Sequence, residues 1–560
     1  MQEMQEAMQE IDTSQSQSHG TQPRRRWLSG RLLALYAAIL LLLMVALLPP
    51  LVNVNRFQRR IATSIGGSLG RPVHLDRVEL SLLPLPGFTL ENFVVSEDPA
   101  FGSEPIIRAN SVRATLRLRS LWRKRVEFST ISFTEPSVNL VHLPNGQWNL
   151  ESILAHAARI EAAPTAQANA GATPRFPYIE ATGARINLKQ GLEKTPLSLT
   201  DTEFALWLPN PQEWRLRLEG RPSRTDSNVT DTGVVRIEGT LGHAASLSEV
   251  PINLEGEWRG SPLGEASRFL TGRDAGLRGD LVITAKVRGS IGKSAIETRL
   301  RLNDARRADF VPAHPLSVDM ECTATATSQF HAFGNVQCIL PPSGPKTLAF
   351  AGEIPDIRNL NSSTVAIGTP GIPASTLVDW LHVASSRTPA DLSATGVLTG
   401  SMQYRPDTGW DGQMVITGAG LTSSKTTPLV VSDVAIQTPP AIVPVRGHHK
   451  ATHSQPPTSG FVLAPVQLDL GGKEPALLEG HVDGTGYSLH LTGMATTARL
   501  MALGSAFPQF GDGLAEALPT NRAAGPFRVD MVAKRAWGEA QVWADTSSNP
   551  GHPRRTGRHT

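Results

Sequence analysis

Three groupings in this chain have residue types and spacings that could do chemistry. Residues 66–70 read GGSLG, the G-x-S-x-G order that would make Ser68 a hydrolase nucleophile. That motif works on a strand-to-helix elbow, whereas here a helical pattern precedes it and a strand pattern follows. Residues 288–294, RGSIGKS, end like a phosphate loop, but the glycine needed five places before Gly292 falls at Val287, so a hairpin turn is the better reading. His449 and His453 would share a helix face, with His448 beside them, yet the segment lies between Pro-rich stretches with no carboxylate at ligand spacing. Carboxylates are otherwise dispersed along strands, and an acid pair for glycoside chemistry does not stand out. These near-misses sit in the wrong contexts, and the chain is expected not to be an enzyme and to need no cofactor or metal.

The elements that would hold any site are mostly strands. The 560 residues exceed one ordinary core, and 49 Gly with 42 Pro favour short strands and turns. In residues 77–95, Val78, Leu80 and Leu82 alternate with polar residues, a Pro-Leu-Pro-Gly corner follows, and Phe88 and Leu90 resume the alternation. The pattern recurs at Val112, Ala114, Leu116 and Leu118, at Trp214–Leu218, at Val235 and Ile237, at Ile252 and Leu254, at Leu300 and Leu302, and at Val466–Leu470. Each is one apolar and one wet face, as in antiparallel sheet covered on one side. Three stretches (263–272, 372–384 and 497–507) read as a short helix leading into a Gly-rich strand, a turn and a return strand, the mark of a repeated unit. Formal charge is +3 with basic residues scattered, so no nucleic-acid partner is expected.

Residues 32–52 are an uninterrupted uncharged run, preceded by Arg24, Arg25, Arg26 and Arg31 and closed by Pro49 and Pro50. Some 20 apolar residues span a bilayer as helix, and the basic flank keeps the short N-terminal tail cytoplasmic. The run is too long for a signal-peptide core and no A-x-A-like site follows, so an uncleaved single-pass anchor is expected. Beyond it Val54, Phe57, Ile61 and Ile65 recur at helical spacing, ending at Gly66-Gly67 and Gly70, a helix expected to pack on the first sheet. The domain reading is a disordered tail (1–23), an anchor with its basic flank (24–52), a first β module (53–155), an Ala-rich linker (156–174), a β-rich groove with helix–meander repeats (175–543) and a disordered tail (544–560). The only cysteines, Cys322 and Cys338, flank a strand–turn–strand pattern. They are either a cross-strand bridge, which would stabilise the fold by about 3 kcal/mol, or two buried thiols.

Taken in order, Gly70-Arg71-Pro72-Val73, the 75–95 hairpin, RANSVRATLRLRSLW with Ala109 and Val112, ISFTEPSVNLV with Pro136, and NGQWNLESIL with Gly146, Trp148 and Asn149 resemble the N-terminal module of the AsmA family of bacterial envelope proteins. The likeness continues through residues 176–206 and covers roughly residues 52–241. It implies an inner-membrane anchor, a body in the periplasm, and an elongated, twisted antiparallel β-sheet curled into an apolar groove. The larger relatives TamB and YhdP are regarded as bridges along which phospholipid passes toward the outer membrane. This chain is shorter, and nothing in it resembles the C-terminal TamB domain. On this reading Val78, Leu80, Leu82, Phe88, Leu90, Val112, Leu116 and Leu118 are candidates for the groove floor, with phospholipid and the inner membrane as partners and outer-membrane assembly components as further ones. Periodicity leaves open whether a second sheet or acyl chains cover these faces. A structural protein that docks outer-membrane protein precursors by strand addition is the alternative function, and an anchored hydrolase the least supported.

Overall fold

In a computed structural model of the chain, the described residues are 32–40, 43, 58–81, 85–117, 128–144, 147–151, 177–210, 213–229, 231–244, 246–312, 315–422, 429–438, 460–506, 511, 513, 514, 525–537 and 542–545. They form one 25-stranded sheet. From Tyr178 onward each strand pairs antiparallel with the next in sequence, without a crossover, to the last strand Val542–Asp545. That strand runs two residues into the segment read as tail. Many connections can be short because neighbours in sequence are neighbours in space. The strand Lys293–Arg307, for example, lies between Leu277–Ser290 and Leu316–Thr327.

The N-terminal module departs from the all-antiparallel expectation. Strands Phe128–Thr134 and Ser137–His142 both run antiparallel to Ile107–Leu116 and both run parallel to Tyr178–Gln190. They are one line broken at Glu135-Pro136. Glu135 adopts φ 47°, and proline removes the N–H that a continuous ladder would need there. A parallel pair needs a long connection, and residues 143–177 separate the paired strands in sequence.

Helix α1 (Gln58–Leu69) packs on this module. Ile61, Ala62, Ile65 and Leu69 lie against a core of Leu75, Val78, Leu90, Phe93, Val95, Ile106, Ala109 and Val112. The helix passes through Gly66-Gly67, expected to stop it, and ends at Gly70, whose φ of 66° suits glycine. The three helices expected in the repeats are α2 (Leu263–Thr271), α3 (Ala374–Ala384) and α4 (Thr497–Ala506). Before α2 and α3 the sequence places Pro262 and Pro373, with φ of −58° and −57°, already set for a helix start. Each of these two helices follows a bulged strand, with register breaks at Trp258/Ser261 and Thr369/Ile372. Each precedes a strand bulged beside a glycine of positive φ, Gly279 or Gly396. The repetition therefore extends to backbone irregularities.

Residues 32–40 are helical and their apolar side chains are exposed; the rest of the expected anchor lies outside the described residues. Among the described residues no helix is long and apolar enough to cross a membrane. The 1–23 tail, the Ala-rich linker and most of the C-terminal tail also lie outside them, as do His448, His449 and His453.

Candidate functional site

Among the described residues the catalytic near-misses are not in the contexts their chemistry needs. Ser68 lies in the last turn of α1 rather than on a strand-to-helix elbow. Ile291 and Gly292 form the turn between strands Leu277–Ser290 and Lys293–Arg307. Among the described residues no group of three His, Cys, Asp or Glu is placed to hold a metal ion.

The eight groove candidates divide. Val78, Leu90 and Val112 are 3 %, 5 % and 3 % exposed and lie beneath α1. They form a closed core rather than a free floor, because the stripe Ile61–Ile65 occupies the face they present. Leu80 and Phe88 are half-buried at its edge, Leu116 is half-buried on the next strand, and Leu82 and Leu118 lie outside the described residues. A polar knot fastens this core. Buried Asn149 donates to Glu97 and to the Asn139 carbonyl (2.8 Å), and accepts from the Val141 N–H (3.1 Å). Buried Arg71 pairs with Asp98 (2.9 Å) and, at 3.8 Å, with Glu97. The Ala100 N–H and then Arg71 hold the Asp98 carboxyl below its ordinary value. Arg71 and Asn149, singled out in the sequence, thus join the end of α1, through the loop after strand Gly87–Val95, to strand Ser137–His142.

The apolar face left uncovered lies further along. Paired residues on neighbouring strands share a face, so the register traces rows across the sheet. One row runs Leu206, Leu216, Gly239, Leu254, Val287, Ile296 and Ala324. A second runs Leu218, Ile237, Gly256, Ala285, Thr298, Cys322, Cys338, Phe350, Ile367 and Met402. A third joins Val235, Trp258, Ile283, Leu300 and Met320. No row contains a charged residue. Most of these side chains are half-buried, and Val365, beside Ile367 on this face, is 40 % exposed. Cys322 and Cys338 face each other in the second row and are joined as a disulfide. At about 4.8 Å per strand, the twelve strands from Glu213–Arg224 to Val434–Gln437 carry this face for about 50 Å.

One lip is closed by helices. Trp258 meets Phe269 of α2 edge-on at 5.9 Å, and Trp380 and Val383 of α3 pack on Leu302, Ala305 and Leu316. Turns form the other lip. The opposite face is charged and internally paired, with Arg217 to Glu238 at 2.7 Å, Lys286 to Glu255 at 3.6 Å and Arg299 to Asp319 at 2.6 Å. Arg236 first, then Arg217, lowers the Glu238 pKa, and Arg299 lowers that of Asp319. One side of the sheet is therefore committed to water and the other is free to meet hydrocarbon. Sequence reading identified these strands but not their face as the site. The available signal was the strict alternation of Ile296, Leu300 and Leu302 with Glu297, Arg299 and Arg301, which marks an apolar face without saying what covers it.

No curated protein and no solved structure matches the chain. The model of the AsmA family matches residues 29–192, a stretch that includes the Arg71–Asn149 knot and ends before the uncovered rows begin in earnest. Family match, motif residues and their structural roles agree there, and residues 29–192 belong to the AsmA family.

Proposed function

We propose that this is a single-pass inner-membrane protein whose periplasmic sheet holds phospholipid by its acyl chains, passes it along the trough and so supports outer-membrane assembly, without catalysis. The observation that carries the reading is the charge-free apolar face, about 50 Å long, with no protein layer over its middle among the described residues. Apolar surface of that extent is driven to find a cover. Each methylene buried there contributes up to about 0.8 kcal/mol, so tails are retained without headgroup contacts. A half-bilayer is about 15 Å thick, so the face is several tails long. Membership of an envelope family and the uncharged run at 32–52 support the location.

The test places a photoreactive residue at Leu300, on the trough face, or at Arg299, on the charged face, of the full chain in cells. Phospholipid adducts are expected at position 300 and not at 299. Equal labelling, or adducts at 300 only with the chain's own residues, would overturn the reading. Strand docking draws on the last strand, Val542–Asp545, which among the described residues pairs only with Phe527–Ala536. It would instead give protein adducts at that edge.

A further inference from the structure

We propose that the trough ends in a roofed pocket that receives the terminus of one hydrocarbon chain. The inference rests on the lipid-holding reading above and adds a distinct site to it.

The register carries the apolar face past Met402 to Gly412, and the next position along that strand, Met414, pairs with Ile436, which pairs with Leu463. Here the open face becomes enclosed. Helix α4, Gly511 and Leu514 lie over it, with Leu500, Ala506 and Leu514 packed into a core with Val466, Leu468 and Leu491. Between roof and sheet remains a cavity of about 350 Å³, lined by valine, leucine, isoleucine and glycine alone. Ile436, 42 % exposed, stands where the lining meets solvent, while Leu468 and Leu491 are 1 % and 0 % exposed.

Three features select the guest. Well-packed interiors leave few voids larger than a water molecule, and this one offers water no side-chain partner. Apolar cavities of about 150 Å³ already stay dry and accept benzene, and this one is more than twice as large. A headgroup would find nothing to answer its charge, so it must stay outside, beyond Ile436. The roof comes close because two glycines meet: a Cβ on Gly511 would stand 2.2 Å from the Gly504 carbonyl oxygen.

The experiment uses the full chain reconstituted in phosphatidylethanolamine–phosphatidylglycerol vesicles. These contain a phospholipid with a diazirine either at the acyl terminus or beside the acyl carbonyl, and labelled residues are mapped by mass spectrometry. The terminal probe is expected to label Leu478, Leu489 or Leu491 at least tenfold more than the carbonyl-side probe. Leu463→Trp, which fills the pocket, should cut that labelling about tenfold and leave labelling around Leu300 intact. Leu478→Trp, from another strand, should do the same and guards against misfolding of the first variant. Equal pocket labelling by both probes, or none there while Leu300 is labelled, overturns the pocket and leaves the trough reading standing. Terminal labelling of the pocket without labelling at Leu300 supports the pocket and defeats the trough reading.

Discussion

An aspartate placed at Leu90 and one placed at Leu300 should have very different consequences, although both leucines occupy the apolar side of an alternating strand. Leu90 is 5 % exposed among Val78, Phe93, Val112 and the underside of α1. Leu90→Asp forfeits about 2–3 kcal/mol of side-chain burial and leaves an unpaired ion out of water, a further several kcal/mol. The sum, on the order of 6 kcal/mol, rivals the 5–15 kcal/mol by which a whole domain is stable. Leu300 is half-buried between Ile283 and Met320. Leu300→Asp keeps its carboxylate hydrated and loses about 1 kcal/mol. The gap of about 5 kcal/mol corresponds to more than a thousandfold in the folded-to-unfolded ratio. Pulse proteolysis of the full chain across a urea series, with peptides from each region quantified by mass spectrometry, reads both variants in one experiment. Leu90→Asp should render the N-terminal module cleavable without urea, and Leu300→Asp should barely move the midpoint while abolishing lipid adducts at that face. Equal destabilisation by the two variants would mean that protein covers the trough, and the argument for lipid would fail.

Asn149→Ala should destabilise the N-terminal module by about 3 kcal/mol, because the Val141 N–H, the Asn139 carbonyl and Glu97 lose a partner together; the same proteolysis assay checks it, and an unchanged midpoint would remove the knot from the account. Asp483 accepts from the Thr485 hydroxyl (2.6 Å) and N–H (2.7 Å) at a hairpin turn, which with weaker help from His481 and the Gly486 N–H holds its pKa at about 2, below the ordinary 3.8. A depressed carboxylate stabilises the fold above its unfolded value and loses that contribution as pH falls through the folded one. Cleavage between strands Ala476–Val482 and Gly486–Ala495 should therefore rise as pH drops from about 4 toward 2, and Asp483→Asn should flatten that part of the profile.

Much of the sheet was legible because alternation depends only on neighbouring residues. Leu300 and Leu302, alternating with Arg299, Arg301 and Asn303, specify a strand with one wet face wherever the strand ends up. The three repeat helices were legible for the same reason, their apolar spacing and flanking Pro or Gly being local. What covers a face is not local. Val78 and Leu300 have the same pattern, yet the first lies under α1 and the second under nothing described, a difference set by a helix that is no part of either strand's own pattern. The parallel pairs at Phe128–Thr134 and Ser137–His142 were hidden likewise, since the break at Glu135-Pro136 reads as an ordinary turn until its two arms are seen to share both partners. The roofed pocket depended on the approach of Gly504 to Gly511, a tertiary contact between two unremarkable glycines.

Strictly consecutive strand pairing also makes the body extensible. Removing the hairpin Leu316–Leu340 would bring Lys293–Arg307 beside Leu348–Ile354 still in opposite directions, and Thr298 could face Phe350 as each now faces a cysteine. Oily and charged sides would stay in phase, and the molecule would shorten by two strand spacings, about 10 Å. Such a scaffold can be lengthened or trimmed like a telescoping rule, so that reach across a compartment can evolve independently of what the surface carries.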